Sequence, residues 1–182
     1  MIKYVESFIS DMDDCIKVVS LKNEDIIMER ELRQACEQNT CGHFGANWMC
    51  PPAVGEIDSL IEKIRTYGDG LLMQSVYSIE DSFDFEGMMT ALEKHRASFV
   101  SLLQTIEEHV ERESLLPLDA GYCAVCTDCT QKQNEPCRFP DKAIASVESH
   151  GMAVNATLGN VGLKYNNGPN TVSYVGIILG MK

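Results

Sequence analysis

The sequence predicts a small single α+β domain over residues 1–182, with a few-stranded sheet packed against helices. Helix-like and strand-like patterns alternate without an internal repeat, and two irregular cysteine-rich loops, at about 36–52 and 121–140, interrupt them. A chain of 182 residues is long enough for one core that buries about two-thirds of the unfolded surface. Its 45% hydrophobic and 23% charged residues are typical of a folded globular protein.

The first half of the chain is predicted to contain two strands and two helices. In order, these are a strand over 15–21, a helix over 24–38, a helix over 56–68 and a strand over 70–79. β-branched residues indicate the first strand. Met28, Leu32, Ala35 and Cys36 would share one face of the first helix, and this spacing predicts it. Asn23 precedes that helix and can cap it. Gly68 is expected to close the second helix.

The second half is predicted to contain two more helices and two more strands. They are a helix over 88–113, a short helix over 142–150, and strands over 152–158 and 171–179. Apolar residues at helical spacing, with His95 among them, support the long helix. Asp141 can cap the short helix and Gly151 can stop it. Turn residues separate the last two strands.

The charge pattern excludes several classes of function. The chain carries 27 acidic against 15 basic residues, a formal net charge of −12, and such a surface repels nucleic-acid phosphates. No run of about 18 apolar residues exists, which argues against a membrane span. Acidic residues interrupt the N-terminal segment where a signal peptide needs an apolar core, so we expect a cytoplasmic location.

Eight cysteines are the main anomaly of the composition. In a reducing cytosol, clustered cysteines bind metals or react more often than they form disulfides. Seven of them fall in two groups, one in each irregular loop. Cys15 stands alone and is predicted to be a small buried residue of the first strand.

The second cysteine loop (residues 121–140) has a spacing typical of iron–sulfur sites. Its thiols are Cys123, Cys126, Cys129 and Cys137, spaced Cys-x2-Cys-x2-Cys-x7-Cys. Bacterial ferredoxins open with the same run of three, whereas zinc sites usually use two separated Cys-x2-Cys pairs. The spacing therefore favours a [4Fe–4S] cluster, with zinc as the alternative and free thiols or disulfides after it. The x7 gap, and Pro136 before the last cysteine, differ from an ordinary ferredoxin loop.

The first cysteine loop (residues 36–52) supplies three thiols, Cys36, Cys41 and Cys50. They are one short of a closed zinc site or a fully cysteine-ligated cubane. His43 could complete a Cys3His zinc site, although a lone loop histidine is more often solvent-exposed or hydrogen-bonded. A cluster with one open iron is another alternative, because an open position can bind a substrate. Both loops could also contribute to one shared site, or Cys36 could belong to the core and bind nothing.

Common catalytic motifs are missing from the sequence. It contains no phosphate-binding glycine loop, no dinucleotide fingerprint and no nucleophile elbow. His95 lies on the apolar stripe of the long helix and is predicted to be a hydrogen-bonded core histidine. The catalytic residues of any reaction therefore stay unknown at this point.

The two loops together resemble those of the predicted metal-binding proteins grouped as domain-of-unknown-function family 2284, from bacteria and archaea. The matching positions of the first loop are Cys41, Phe44, Gly45, Trp48, Cys50, Pro51 and Pro52. Beside the cysteine run, those of the second loop and the segment after it are Cys137, Arg138, Pro140, Ser146, Glu148, Gly151 and Val154. The long helix before the second loop also fits the family layout.

Two positions depart from the family pattern. Phe44 stands where the family typically has tyrosine, so no hydroxyl is available for a hydrogen bond there. Ile144 and Ala145 stand where the family usually has Arg-Pro, so the positive charge that an anion contact would need is missing there. The resemblance implies metal binding, with iron–sulfur as the expected form, and it supplies no reaction.

These observations lead to three functional hypotheses. The first is a cytoplasmic iron–sulfur protein, with one [4Fe–4S] cluster or two, that transfers electrons to a redox partner protein. The second is a small reductase or dehydratase-like enzyme that uses an open cluster held by the first cysteine loop. The third is a structural zinc-binding interaction module. The sequence does not indicate the oligomeric state.

Overall fold

A five-stranded sheet forms the centre of the structure, a computed structural model that describes residues 1–10 and 12–182. Its strands are β1 (Ile16–Leu21), β2 (Tyr67–Ser78), β3 (Leu115–Asp119), β4 (Ala145–Ser146) and β5 (Thr171–Met181). Across the sheet they follow the order β1-β2-β5-β3-β4. The long strands β2 and β5 pair antiparallel at its centre, and only β3 and β4 pair parallel.

Helices cover the sheet, which confirms the predicted α+β class. The described ranges contain α1 (Glu6–Ser10), α2 (Arg33–Glu37), α3 (Ile57–Thr66), α4 (Phe85–Glu107) and α5 (Val154–Asn160). No helix in these ranges is both long and apolar enough to cross a membrane.

Each face of the sheet packs against its own apolar core. Successive side chains of a strand point to opposite faces, so Leu71 and Leu72 of β2 belong to different cores. On one face, α4 buries Phe99 and Ile106 completely. On the other face, α3 and α5 contribute residues such as Ile64. Because both faces are covered, β2 and β5 read as nearly continuous apolar runs.

The elements with strong periodicity were predicted correctly. The structure confirms the strands over 15–21, 70–79 and 171–179 as β1, β2 and β5, and the helices over 56–68 and 88–113 as α3 and α4. The Asp84 carboxylate caps α4 by accepting the Gly87 N–H at 2.8 Å, so this helix begins earlier than predicted. It ends at Glu107.

The single helix predicted over 24–38 is wrong. Only short helical turns and α2 form there, and the stretch between them is extended. Its backbone pairs with the segment before α5: Glu29 N–H donates to Gly151 O at 2.7 Å, and Ala153 N–H donates to Ile27 O at 2.8 Å. This tertiary pairing outweighs the local helical pattern.

The helix predicted over 142–150 and the strand predicted over 152–158 are both wrong. One strand, β3, was not predicted at all. Residues 142–150 form the short strand β4 and a 3₁₀ turn at Glu148–His150 instead of a helix, because β4 pairs with β3. Residues 152–158, predicted as a strand, mostly belong to α5. The missed strand is β3, which contains Pro117 and is buried throughout. A proline inside a short apolar run argues against a strand, so the pattern concealed it.

A buried polar chain links β2, α4 and β3 beneath the second cysteine loop. His95 is fully buried, as predicted for a core histidine. Its Nδ1 is hydrogen-bonded to the Ser75 hydroxyl, and its Nε2 lies 2.9 Å from Asp119 Oδ1. Asp119 is the last residue of β3, so this chain fixes the point from which the second loop departs.

Candidate metal centre

The second cysteine loop leaves the end of β3 as an irregular segment. Gly121 (φ 78°) and Asn134 (φ 55°) adopt the left-handed conformation that such tight turns require. A 3₁₀ turn at Thr130–Gln133 follows Cys129. The Thr130 hydroxyl donates to Pro136 O at 2.9 Å, which closes the loop just before Cys137.

The four thiols of this loop border one small cavity. Cys123, Cys126, Cys129 and Cys137 are all half-buried and line it together. Its volume is about 10 Å³, which corresponds to about one water-sized sphere. The donor set, four thiols on one loop, fits a thiolate-bound metal.

The sulfur atoms do not form a coordination shell. Among residues 1–10 and 12–182, no group of three or more cysteine, histidine, aspartate or glutamate side chains has a geometry that could hold one metal ion. All eight cysteines are free thiols. The fold therefore gathers the candidate ligands by loop, without placing them around a common centre.

The first cysteine loop docks directly onto the second. The Asn47 amide donates to Cys123 O at 2.8 Å, and Asn47 is only 4% exposed. The Trp48 backbone N–H points at Cys129 Sγ at 3.4 Å, and its indole N–H donates to Glu135 O at 2.9 Å. Backbone N–H groups directed at sulfur are a common feature of protein-bound metal thiolates. Trp48 therefore joins the two loops and is not an ordinary core aromatic.

Tyr122 and its two ring contacts, His43 and Arg96, form a second junction between the loops. The His43 ring lies on the Tyr122 ring with 3.5 Å between centroids, and the Arg96 guanidinium lies 4.5 Å from the centroid of the same ring. Arg96 also donates to Tyr122 O at 2.7 Å. Burial lowers the pKa of His43, and the charges of Arg96 and Lys132 lower it further. In this position His43 stacks against Tyr122, which immediately precedes Cys123.

The first cysteine loop curls because two glycines and one asparagine adopt positive φ. These residues are Asn39 (52°), Gly42 (74°) and Gly45 (64°). The Gly45 N–H donates to Pro51 O at 2.8 Å and closes the curl. Cys41 is exposed at its tip, whereas Cys50 is 6% exposed at its base.

All three thiols of this loop line the largest cavity described. Its volume is about 670 Å³, and Cys36, Cys41 and Cys50 are among the residues that line it. Glu148, in the 3₁₀ turn after β4, lines the same cavity. Glu148 is an exposed residue, although many protein atoms lie around its side chain. Burial raises the pKa of Glu148, and hydrogen bonds with Ser146 and the Gly121 N–H oppose that shift.

Burial and neighbouring sulfur atoms keep Cys50 protonated. They raise the pKa of this thiol to about 12, burial first, followed by the charges of Cys41, Cys36, Cys123 and Cys129. The contribution of Cys123 and Cys129 means that the two groups of thiols influence each other across the docked loops. Burial and Glu148 also raise the pKa of Cys36, and Arg33 opposes the shift. Metal binding at these thiols must release their protons.

Arg33 ties the base of the first loop to the turn that carries Glu148. It is 8% exposed, and its guanidinium donates to Ser149 O at 3.2 Å and to Gly55 O at 2.8 Å. Gly55 follows the first cysteine loop in the chain, and Ser149 belongs to the 3₁₀ turn that carries Glu148. The arginine therefore holds the thiols and the carboxylate in one arrangement.

His150 is buried in the 3₁₀ turn that carries Glu148. It is 3% exposed, and its Nδ1 lies 3.0 Å from Ser146 O. Burial lowers its pKa to about 4. Because the folded pKa lies below the ordinary value of about 6.5, protonation favours unfolding. The neutral, buried imidazole therefore stabilises the fold fully above about pH 6.5, and this stabilisation is lost as the pH falls through about 4.

We expect this histidine to make the folded state acid-sensitive. Between pH 7 and pH 4, the wild-type free energy of unfolding should fall by about 3 kcal/mol more than that of His150→Gln. Urea denaturation at both pH values measures the difference. His109→Gln, at an exposed position, is the matched control. Parallel losses in wild type and His150→Gln would contradict the assignment.

Two residues, Cys15 and Arg138, take no part in the contacts between the two cysteine loops. Cys15 is half-buried beside β1 and lies outside both loops. Arg138 is exposed and donates to Asp128 O within the second loop. Sequence reasoning did not foresee the roles of Asn47, Arg33 and Arg96. Asn47 and Arg33 lie close to cysteines in the sequence, which is the only feature that could have indicated a role. Arg96 is far from any cysteine in the sequence, and nothing there indicated its role.

The fold and the seven gathered thiols define a cysteine-rich α+β protein with two docked, thiol-lined loops. A family model described as "Predicted metal-binding protein (DUF2284)" matches residues 19–179 of the 182. The chain therefore belongs to this family, which confirms the resemblance seen in its motifs. No match was found among curated proteins or among solved structures.

Proposed function

We propose that the protein is an iron–sulfur electron carrier whose second cysteine loop holds a [4Fe–4S] cluster. Cys123, Cys126, Cys129 and Cys137 would hold it, and the bound cluster supplies one-electron chemistry. The observation that carries the proposal is that these four thiols line one cavity while the Trp48 N–H points at Cys129 Sγ. The ferredoxin-like spacing of the first three favours the cluster over zinc.

The surface position of the loop supports electron transfer to a partner protein. Val125 and Phe139 line the same cavity as the thiols and are 42% and 44% exposed. Apolar side chains at such positions suit a transient protein contact. A redox partner docked on them would lie beside the cluster.

A reductive titration tests this function. Anaerobically purified protein is expected to absorb broadly near about 400 nm, to bleach on addition of dithionite and to recover on reoxidation. A colourless protein that contains zinc and no acid-labile sulfide would overturn the proposal and favour a structural zinc module.

A specific observation favours an enzyme as the second candidate. The thiols of the first cysteine loop lie along a cavity of about 670 Å³, within the range of small-molecule sites. Three cysteine ligands would leave one metal position open toward that cavity. A small reductase or dehydratase-like activity is the reaction class that such an open cluster supports.

The Cys41→Ser variant tests whether the first loop holds its own metal centre. We expect its iron content to fall while the second-loop cluster and its reversible bleaching remain, since the two groups of thiols line separate cavities. Iron and sulfide analysis beside an absorption spectrum measures both. Unchanged iron would mean that the first cysteine loop holds no metal of its own and only supports the cluster of the second loop. It would also remove the basis for the second candidate function, an enzyme with an open cluster.

A further inference from the structure

We propose that the cavity beside the first cysteine loop binds a small organic ammonium compound, an amine with an apolar body whose charged end pairs with Glu148. This inference rests on the second candidate function only for the reaction that a bound amine would undergo. The binding site itself is defined by side chains that are in place without a metal.

The size and lining of the cavity suit a compact organic molecule. Its volume of about 670 Å³ is that of an ordinary small-molecule site. Leu32, Phe44 and Val154 supply apolar surface from three different segments of the chain. An aliphatic or aromatic body would remove this surface from water.

The charges around the cavity select a cation. Glu29 and Glu148 are its charged lining residues, and no lysine, arginine or histidine of the described residues lines it. Arg33, the cation closest along α2, is directed at the carbonyl groups of Ser149 and Gly55. A phosphate or carboxylate ligand would therefore meet two acidic groups and no positive partner.

Glu148 is the best-placed partner for an ammonium group. No described lysine, arginine or histidine forms an ion pair with it. Glu148 lines the cavity and is an exposed residue, so its carboxylate is accessible to a ligand there. Tyr165 lines the same cavity and is close enough for Glu148 to raise its pKa, after the larger effect of burial. An ammonium group bound here would give this carboxylate the ionic partner that the described side chains do not supply.

Three probe molecules of similar shape but different charge test whether the cavity prefers a cation. Phenethylamine, phenethyl alcohol and phenylacetate are titrated at neutral pH into the protein as purified, and affinities are measured by calorimetry. We expect the amine to bind about tenfold more tightly than the alcohol, and phenylacetate to bind most weakly. Equal affinities, or the tightest binding by phenylacetate, would overturn the proposal.

A charge-removing variant locates the contact. Glu148→Gln is expected to bring the amine affinity down to that of the alcohol and to leave the alcohol affinity unchanged. Glu62→Gln, an exposed change on α3, should retain the preference for the amine. A preference that survives in Glu148→Gln would refute the role of this carboxylate. If that variant does not fold, the order of the three probes on wild type still decides.

The same titration on metal-depleted protein separates this proposal from the metal assignment. Amine binding that survives metal removal supports the cavity site, whatever metal the loops bind. Failure of the amine to bind metal-loaded wild type overturns the cavity site and leaves the metal assignment intact.

Discussion

The Cys126→Ser variant is expected to lose the metal centre of the second cysteine loop. Wild type should contain at least about four irons and four sulfides per chain, and the variant should lack this complement. A serine hydroxyl is a poor replacement for a thiolate, and Cys126 is the middle member of the run that lines the cavity. Iron and sulfide analysis after anaerobic purification measures the loss, which we expect to be nearly complete.

Cys15→Ser is the matched control for this experiment. It makes the same chemical change beside β1, at a cysteine that lines neither loop cavity. We expect its metal content to equal that of wild type. Full iron in Cys126→Ser would show that the second loop is not the ligand set.

Replacement of His95 by leucine should have the largest effect on stability. The change leaves the Ser75 hydroxyl, which is 0% exposed, and the Asp119 carboxylate, which is 7% exposed, without their histidine partner. Buried polar groups without partners are costly, so we expect the free energy of unfolding to fall by about 3 kcal/mol. Urea denaturation measures it.

Glu93→Gln controls for changes on the same helix, because its side chain is exposed. It should alter the free energy of unfolding by less than about 0.5 kcal/mol. Because Asp119 ends β3, His95→Leu should also loosen the start of the second loop and raise the rate of metal loss to a chelator. A His95→Leu variant as stable as Glu93→Gln would contradict the buried chain.

The long elements could be predicted because their burial is regular. Helix α4 buries one face, and strands β2 and β5 contain continuous buried runs. The pattern failed where pairing between distant segments decides the structure. The segment at Ile26–Glu29 is extended because it pairs beside α5, and β3 forms in spite of Pro117 because β5 offers it an open edge. Local propensity contains neither fact.

The cysteines form two groups along the sequence, and each group lines its own cavity. The contacts that join the loops come from Asn47 and Trp48, and no spacing rule indicates a backbone N–H directed at a particular sulfur. The cavity at Glu148 depends on the turn after β4, where a helix was predicted. Its existence could be known only from the fold.

An anomalous difference map, from crystals grown without air and measured at the iron absorption edge, tests the central claim most directly. We predict strong iron density enclosed by Cys123, Cys126, Cys129 and Cys137, and separate density beside Cys36, Cys41 and Cys50 if the first loop holds its own centre. Absence of iron density at the second loop, with its cysteines apart or joined in disulfides, would contradict the account.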